Sequence, residues 1–339
     1  MKIDAPLIVA NALSAGPLAA QMEADGLDGA YTFDGPCDPF LPLAIAAGQT
    51  QRIALITAVA IALARNPMTV AQLGHELQGM SQGRFILGLG SQIRAHIERR
   101  YSMPWSAPAA RLREFVLAVK AIWRHWHEGA PLDFRGEFYH HTLMPPLLTP
   151  PPHAWGAPPI LLAGVGPRMI EAAGEVADGW LIHPFHCATY LDQLAFPALQ
   201  RGLDRSGRPR SALQVSAQLL VACGRNADEL AEATARMRTQ IGFYGSTPAY
   251  RPTLDAIGRG ALQEQLNTLT RQGRWDELGP CIDDEVLHAV AFVGSPEAAA
   301  RAILARYQGR VDRISPTAYI GHPDTAHALV AALRQGMAA

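Results

Sequence analysis

Short apolar runs alternate with longer amphipathic segments along this chain, and that rhythm limits its fold more than any other feature. Residues 7–13 read as a first strand, with a helix over about 16–25. Residues 29–33 read as a second strand, followed by a helix over 42–47. Residues 53–60 are almost uninterruptedly apolar, as expected of a strand buried on both faces. Thr69, with Gln72 three residues on, has the spacing of a helix-opening capping box. Residues 84–90 form a fourth strand. Leu112, Phe115, Val116, Val119 and Ile122 share one face of a long helix over 108–127. Strands five, six and seven are expected at 159–164, 179–183 and 213–223. Ser295-Pro296-Glu297 opens a helix with proline at its first position. Strand eight is expected at 313–320, with a last helix from about 325.

Eight strand–helix units favour a closed (β/α)8 TIM barrel over an open doubly wound sheet. A length of 339 residues suits one such domain over 1–339, with insertions at about 129–158 and 242–288. The first insertion is rich in proline, with Pro145-Pro146 and Pro150-Pro151-Pro152. It reads as a surface excursion, because the strand–helix rhythm resumes after it.

Composition removes several classes of function. A net charge of −1 argues against nucleic acid or an anionic membrane as the main partner, since both need a basic surface. The four cysteines form no Cys-x-x-Cys pair and fit a reducing cytosol. The start of the chain lacks a basic segment followed by an apolar core, so a cytoplasmic location is expected. The apolar stretch near 53–64 is shorter than the about 20 residues that span a bilayer.

A barrel of this kind carries its active site at the carboxyl ends of the strands, so the residues just after each strand matter most. Asp34-Gly35-Pro36-Cys37-Asp38 follows strand two and offers two carboxylates, although the same residues also favour tight turns. Ala58 and Ala60 end strand three and are small enough to let a flat ring approach, or simply to pack a barrel. Gly88-Leu89-Gly90-Ser91-Gln92 ends strand four and can admit a ligand closely. Arg94, Arg99 and Arg100 then suit an anionic group, or equally a solvated helix face. Gly164-Val165-Gly166-Pro167-Arg168 opens a helix and has the character of a phosphate site.

His183 and His186 follow strand six and are the best placed of the twelve histidines for chemistry. They have no intervening acid to complete a metal motif. His125 and His127 face different ways on one helix. No metal is therefore expected. A barrel with an anion-binding rim and no strong protein nucleophile needs a cofactor for hard chemistry.

The stretch from Asp38-Pro39-Phe40 to Gly90-Ser91-Gln92 resembles the bacterial luciferase-like family, and within it the coenzyme F420-dependent oxidoreductases. Further matching segments are Ala64-Arg65-Asn66-Pro67-Met68-Thr69, the run from Gly90-Ser91-Gln92 to Ser102-Met103-Pro104-Trp105-Ser106, Phe138-Tyr139 to His141-Thr142-Leu143-Met144, the region of Gly164 through Gly174-Glu175-Val176-Ala177-Asp178-Gly179, and Phe243-Tyr244-Gly245-Ser246-Thr247-Pro248-Ala249-Tyr250-Arg251-Pro252. The resemblance implies a flat cofactor ring in the barrel mouth, against a bulge in strand three at a non-proline cis peptide. The matching bond is Ala58–Val59. The implied cofactor contacts are Ala58, Val59, Gly90, Ser91, Gln92, Gly164, Val165, Gly166, Pro167 and Arg168. Sugar-phosphate members of the family carry Asp-His after strand two and Glu after strand four. Here Asp34-Gly35 and Gln92 stand instead, which argues against that substrate.

The expected activity is hydride transfer between coenzyme F420 and a small organic substrate. Asp34 and His183 are the candidate catalytic groups, and Asp38 and Trp105 the candidate substrate contacts. The alternatives are an FMN-dependent monooxygenase served by a separate flavin reductase, and a flavin-binding barrel without catalysis. A homodimer is implied by the resemblance.

Overall fold

Eight parallel strands close on themselves in the computed structural model of the chain, which describes residues 1–338. They are β1 (Lys2–Pro6), β2 (Gly29–Thr32), β3 (Ala54–Thr57), β4 (Phe85–Gly90), β5 (Ile160–Ala163), β6 (Gly179–Ile182), β7 (Gln214–Gln218) and β8 (Arg313–Ser315). Each pairs with its sequence neighbours, and β8 pairs with β1 to close the barrel. The outer layer includes α1 (Ala15–Ala24), α2 (Phe40–Ala47), α3 (Pro67–Met80), α4 (Pro108–Glu128), α5 (Pro167–Val176), α6 (Phe196–Ser206), α7 (Ala227–Gly245), α8 (Pro296–Tyr307) and α9 (Pro323–Ala338). Among the described residues, no helix is long and apolar enough to cross a membrane.

Side chains fill the barrel in layers. Tyr31, Ile56, Ile86, Leu161 and Leu181 form one buried cluster inside it. Arg313 and Asp4 pair across its interior, with Arg313 Nε donating to Asp4 Oδ2 at 2.7 Å. Outside, α4 turns Leu112, Phe115, Val116, Val119 and Ile122 inward, together with Trp123 and Trp126. It stops at Gly129, whose φ of 70° is a left-handed helix end that glycine adopts without strain. The helices α3 and α4 meet closely: a Cβ on Gly74 would come 2.7 Å from Trp123 Cζ2. The Trp123 indole N–H donates to the Ala71 carbonyl at 2.9 Å.

Several expected boundaries move. The first strand is residues 2–6, not 7–13. Asp4 made that segment look unlike a buried strand, but its charge is met by Arg313. Residues 7–13 lie beyond the strand, where the Asn11 side chain accepts the Leu13 N–H and Ile8 and Leu13 are exposed. The helix-opening residue of α3 is Asn66 and not Thr69: its side chain accepts the Met68 N–H at 2.8 Å and Pro67 supplies the first turn. Strand seven is broken at Leu219. Its second part, Leu220–Cys223, leaves the barrel to pair with Ala291–Gly294. Strand eight ends at Ser315 rather than at 320. Ser295 does cap α8, as its spacing indicated. The proline-rich excursion carries a short hairpin, Phe134–Arg135 with His140–His141. Glu114 on α4 anchors it by accepting the N–H groups of Glu137, Phe138 and Tyr139.

Candidate active site

The carboxyl ends of the strands open into a cavity of about 450 Å³. One wall is a bulge after β3. The chain leaves its ladder at Thr57, passes through a cis Ala58–Val59 peptide bond, and rejoins β4 at Ala60–Ile61. Backbone bonds hold this bulge from the β2 side. The Ala58 N–H donates to the Thr32 carbonyl at 2.6 Å, and the Asp34 N–H to the Val59 carbonyl at 3.0 Å. Gly90 makes room for it, because a Cβ there would lie 2.7 Å from Val59 Cγ2.

A second wall, on the other side of β4, is the loop from Gly164 to the start of α5. Its carbonyls are anchored from behind: Trp180 Nε1–H donates to Gly164 O at 3.2 Å, and the Tyr190 hydroxyl to Val165 O. Pro167 has no N–H and the Met169 N–H donates to Gly166 O at 3.0 Å, so the first turn of α5 leaves the Arg168 N–H, at the positive end of the helix, for a ligand. A Cβ built on Gly166, the residue capping α5, meets nothing within 4 Å. The backbone there is open to a ligand.

Ala58, Val59, Gly90, Ser91, Gln92, Gly164, Val165 and Gly166 all line this one cavity, together with Trp105 and His183. Pro167 and Arg168 sit exposed on the first turn of α5 and are not part of the lining. Two acidic candidates lie elsewhere. Asp34 and Asp38 both pair with Arg65, and neither lines the cavity. The Asp34 carboxylate also accepts the Ile61 N–H at 2.6 Å, so its oxygens are already engaged in holding the bulge. Asp38 Oδ1 accepts the Phe40 N–H at the start of α2. Held this way, Asp34 supports the bulge from outside the cavity lining, and Asp38 caps the start of α2. Of the three arginines after β4, Arg94 lines the cavity, whereas Arg100 donates to Gly35 O.

His183 stands at the end of β6 with its ring stacked on Tyr250, centroids 4.2 Å apart, and edge-on to Tyr244. The Phe185 N–H donates to its Nδ1 at 3.1 Å. A nitrogen that accepts carries no proton, so the proton sits on Nε2. Burial, and then the neighbouring His186, push the His183 pKa down to about 3. At neutral pH the ring is neutral, with Nε2–H as the group it can offer. His186 is buried behind it. Its Nδ1 bonds to His183 O at 2.7 Å and its Nε2 to the Tyr307 hydroxyl.

Tyr250 and Gln218 line the cavity and had no place among the expected contacts. Gln218 had a readable signal: it is a polar residue inside an apolar run, at the end of a barrel strand. Tyr250 lies in the matching segment 243–252, but only the folding back of the chain after α7 sets it against His183.

Comparisons with known proteins agree with this architecture. A family profile described as luciferase-like monooxygenase matches residues 11–313. An uncharacterised protein of Mycobacterium tuberculosis is 50% identical over 302 residues, 89% of each chain. Another protein of that organism, provisionally named a coenzyme F420-dependent oxidoreductase, is 29% identical over 296 residues, 82% of each chain. Among solved structures, the coenzyme F420-dependent tetrahydromethanopterin reductase from Methanopyrus kandleri superposes with a TM-score of 0.77 at 20% identity, over 97% of this chain and 96% of that one. The chain belongs to the luciferase-like monooxygenase family.

Proposed function

We propose that the protein is an oxidoreductase that exchanges a hydride between coenzyme F420 and a small organic substrate. The observation that carries this reading is one cavity with two complementary walls. An apolar bulge at Ala58–Val59 and an open, glycine-flanked helix start at Gly164–Gly166 line it together, on either side of β4. The residues fit a flat ring bearing a phosphorylated tail: Ala58, Gly90 and Ala163 leave room against the backbone, and the start of α5 offers the Arg168 N–H to an anion. The relative provisionally named for coenzyme F420 supports the choice of cofactor. When bound, a deazaflavin supplies a carbon that gives or takes a hydride.

The chain's own part is placement and polarity. Arg94 supplies positive charge at the cavity wall. Trp105 and Tyr250 bound the space left for substrate. His183 offers Nε2–H to a substrate oxygen and stabilises charge that develops there, without itself giving up a proton. Positioning of reactants in line accounts for the remaining rate enhancement.

A second reading, an FMN-dependent monooxygenase with a partner reductase, is favoured by the description of the matching family. The two are separated by supplying each reduced cofactor with a panel of carbonyl compounds in air. Deazaflavin oxidation that depends on the carbonyl compound and consumes no oxygen supports hydride transfer. Oxygen uptake coupled to product formation with reduced FMN contradicts it.

A further inference from the structure

Three histidines far apart in sequence meet on the outer side of the barrel, away from the cavity. His75 lies in α3, His127 in the last turn of α4, and His153 in the proline-rich excursion that crosses both helices. The ring centroids of His75 and His153 are 4.3 Å apart, and each is 5.2 Å from that of His127. One ring nitrogen from each residue lies within 4.8 Å of the other two.

The hydrogen bonding of these rings is incomplete in a particular way. His75 Nδ1, His127 Nε2 and His153 Nδ1 are all buried without a hydrogen-bond partner. His75 is only 5% exposed. Buried polar atoms are nearly always satisfied, so three orphans on three adjoining rings point to something that accepts their lone pairs. The free nitrogen of His153 is also set in its ligating form. Its Nε2 bonds to the His75 carbonyl oxygen at 3.0 Å, and a carbonyl only accepts, so Nε2 carries the proton and Nδ1 the lone pair. Metal-binding histidines show this arrangement: the second nitrogen donates to a backbone carbonyl and fixes the ring. Gly79 lets the ring dock, because a Cβ there would lie 3.2 Å from His153 Cδ2.

We propose that His75, His127 and His153 bind a divalent transition-metal ion of the zinc class, with water in the fourth position. Three imidazoles suit Zn2+, Co2+, Ni2+ or Cu2+, whereas Mg2+ and Ca2+ prefer oxygen donors. His127 and His153 are half-buried, which gives water access to the remaining position. None of the three lines the active-site cavity. The ion would tie the proline-rich excursion to α3 and α4, since its three ligands come from these three segments. The spacing of His127 from His125 concealed this arrangement, because the partners come from other elements.

The test uses the untagged full chain after removal of metal with a chelator. Calorimetric titration with Zn2+ is expected to show one tight site per chain, and Co2+ to give the visible absorption of a four-coordinate imidazole complex. His127→Gln and His153→Gln should each weaken zinc binding by at least about ten-fold. Binding of coenzyme F420 should be the same in both variants as in the parent, which also shows that they fold. X-ray absorption at the zinc edge of the unsubstituted protein needs no variant and should report a shell of imidazole nitrogens. Absence of a stoichiometric zinc site, zinc bound without imidazole ligands, or folded variants that bind zinc as tightly as the parent would each overturn the proposal.

Discussion

Arg65 grips Asp34 with both terminal nitrogens, Nη2 meeting Oδ1 at 2.9 Å, and Asp34 in turn holds the Ile61 N–H on the far side of the Ala58–Val59 bulge. The Asp34 side chain is 8% exposed and that of Arg65 is 16% exposed. Removing Asp34 leaves the enclosed Arg65 with only the more exposed Asp38 as a partner. Asp34→Ala is expected to cost about 3 kcal/mol in urea denaturation. Asp34→Asn should lose stability and cofactor affinity together, while turnover recovers at saturating cofactor. Normal affinity combined with a large loss of kcat would instead mean that Asp34 handles a proton.

The interior pair behaves more severely. Asp4 and Arg313 are 3% and 1% exposed at their side chains. Asp4→Ala should cost about 3–5 kcal/mol by denaturant titration. Replacing both residues with apolar ones, as in Asp4→Leu with Arg313→Met, should recover most of that loss, because no charge is then left unpaired.

Two neighbouring glycines of β4 should respond differently to alanine. A Cβ on Gly88 would overlap the Thr57 carbonyl oxygen, which is backbone and cannot yield, so Gly88→Ala should be recovered only in insoluble form. A Cβ on Gly90 meets the Val59 side chain, which can turn aside into the cavity. Gly90→Ala should fold and bind cofactor about ten-fold more weakly, the equivalent of about 1.4 kcal/mol. Fluorescence titration of the soluble variant measures this.

Acid should act through the buried His183 and His186, of which His186 lies outside the cavity lining and can be replaced separately. Burial is the main cause that lowers the His186 pKa to about 4, and the Arg306 charge adds to it. Above pH 6.5 the ring is neutral whether the chain is folded or not, and the group does not alter stability. As pH falls from 6.5 towards 4, the unfolded chain takes up a proton that the folded chain refuses. Stability then drops by about 1.4 kcal/mol per pH unit for this one group. His186→Asn should flatten the stability curve over that window by about that slope. An unchanged curve would place the acid sensitivity elsewhere.

Much of the barrel was legible because strands buried on both faces read as apolar runs. β2, β4, β5 and β6 fall within a residue or so of expectation for that reason. β1 was displaced because Asp4 looks solvent-facing until Arg313, from the other end of the chain, is set beside it. The cavity lining was largely legible, since the mouth of a barrel is where its strands end. Side-chain direction was not. Asp34 sits at the mouth in sequence but turns under the bulge to Arg65, and Tyr250 reaches His183 only through the packing of a long excursion. The three-histidine cluster was invisible because no two of its members share a helix turn or a loop.

The central claim is tested most directly by titrating the purified protein with coenzyme F420 and, separately, with FMN, following the fluorescence of each. Saturable binding of the deazaflavin with a Kd on the order of micromolar, and FMN weaker by at least about ten-fold, is the predicted result. Equal or tighter binding of FMN would contradict the hydride-transfer account and direct the search to oxygen-dependent reactions.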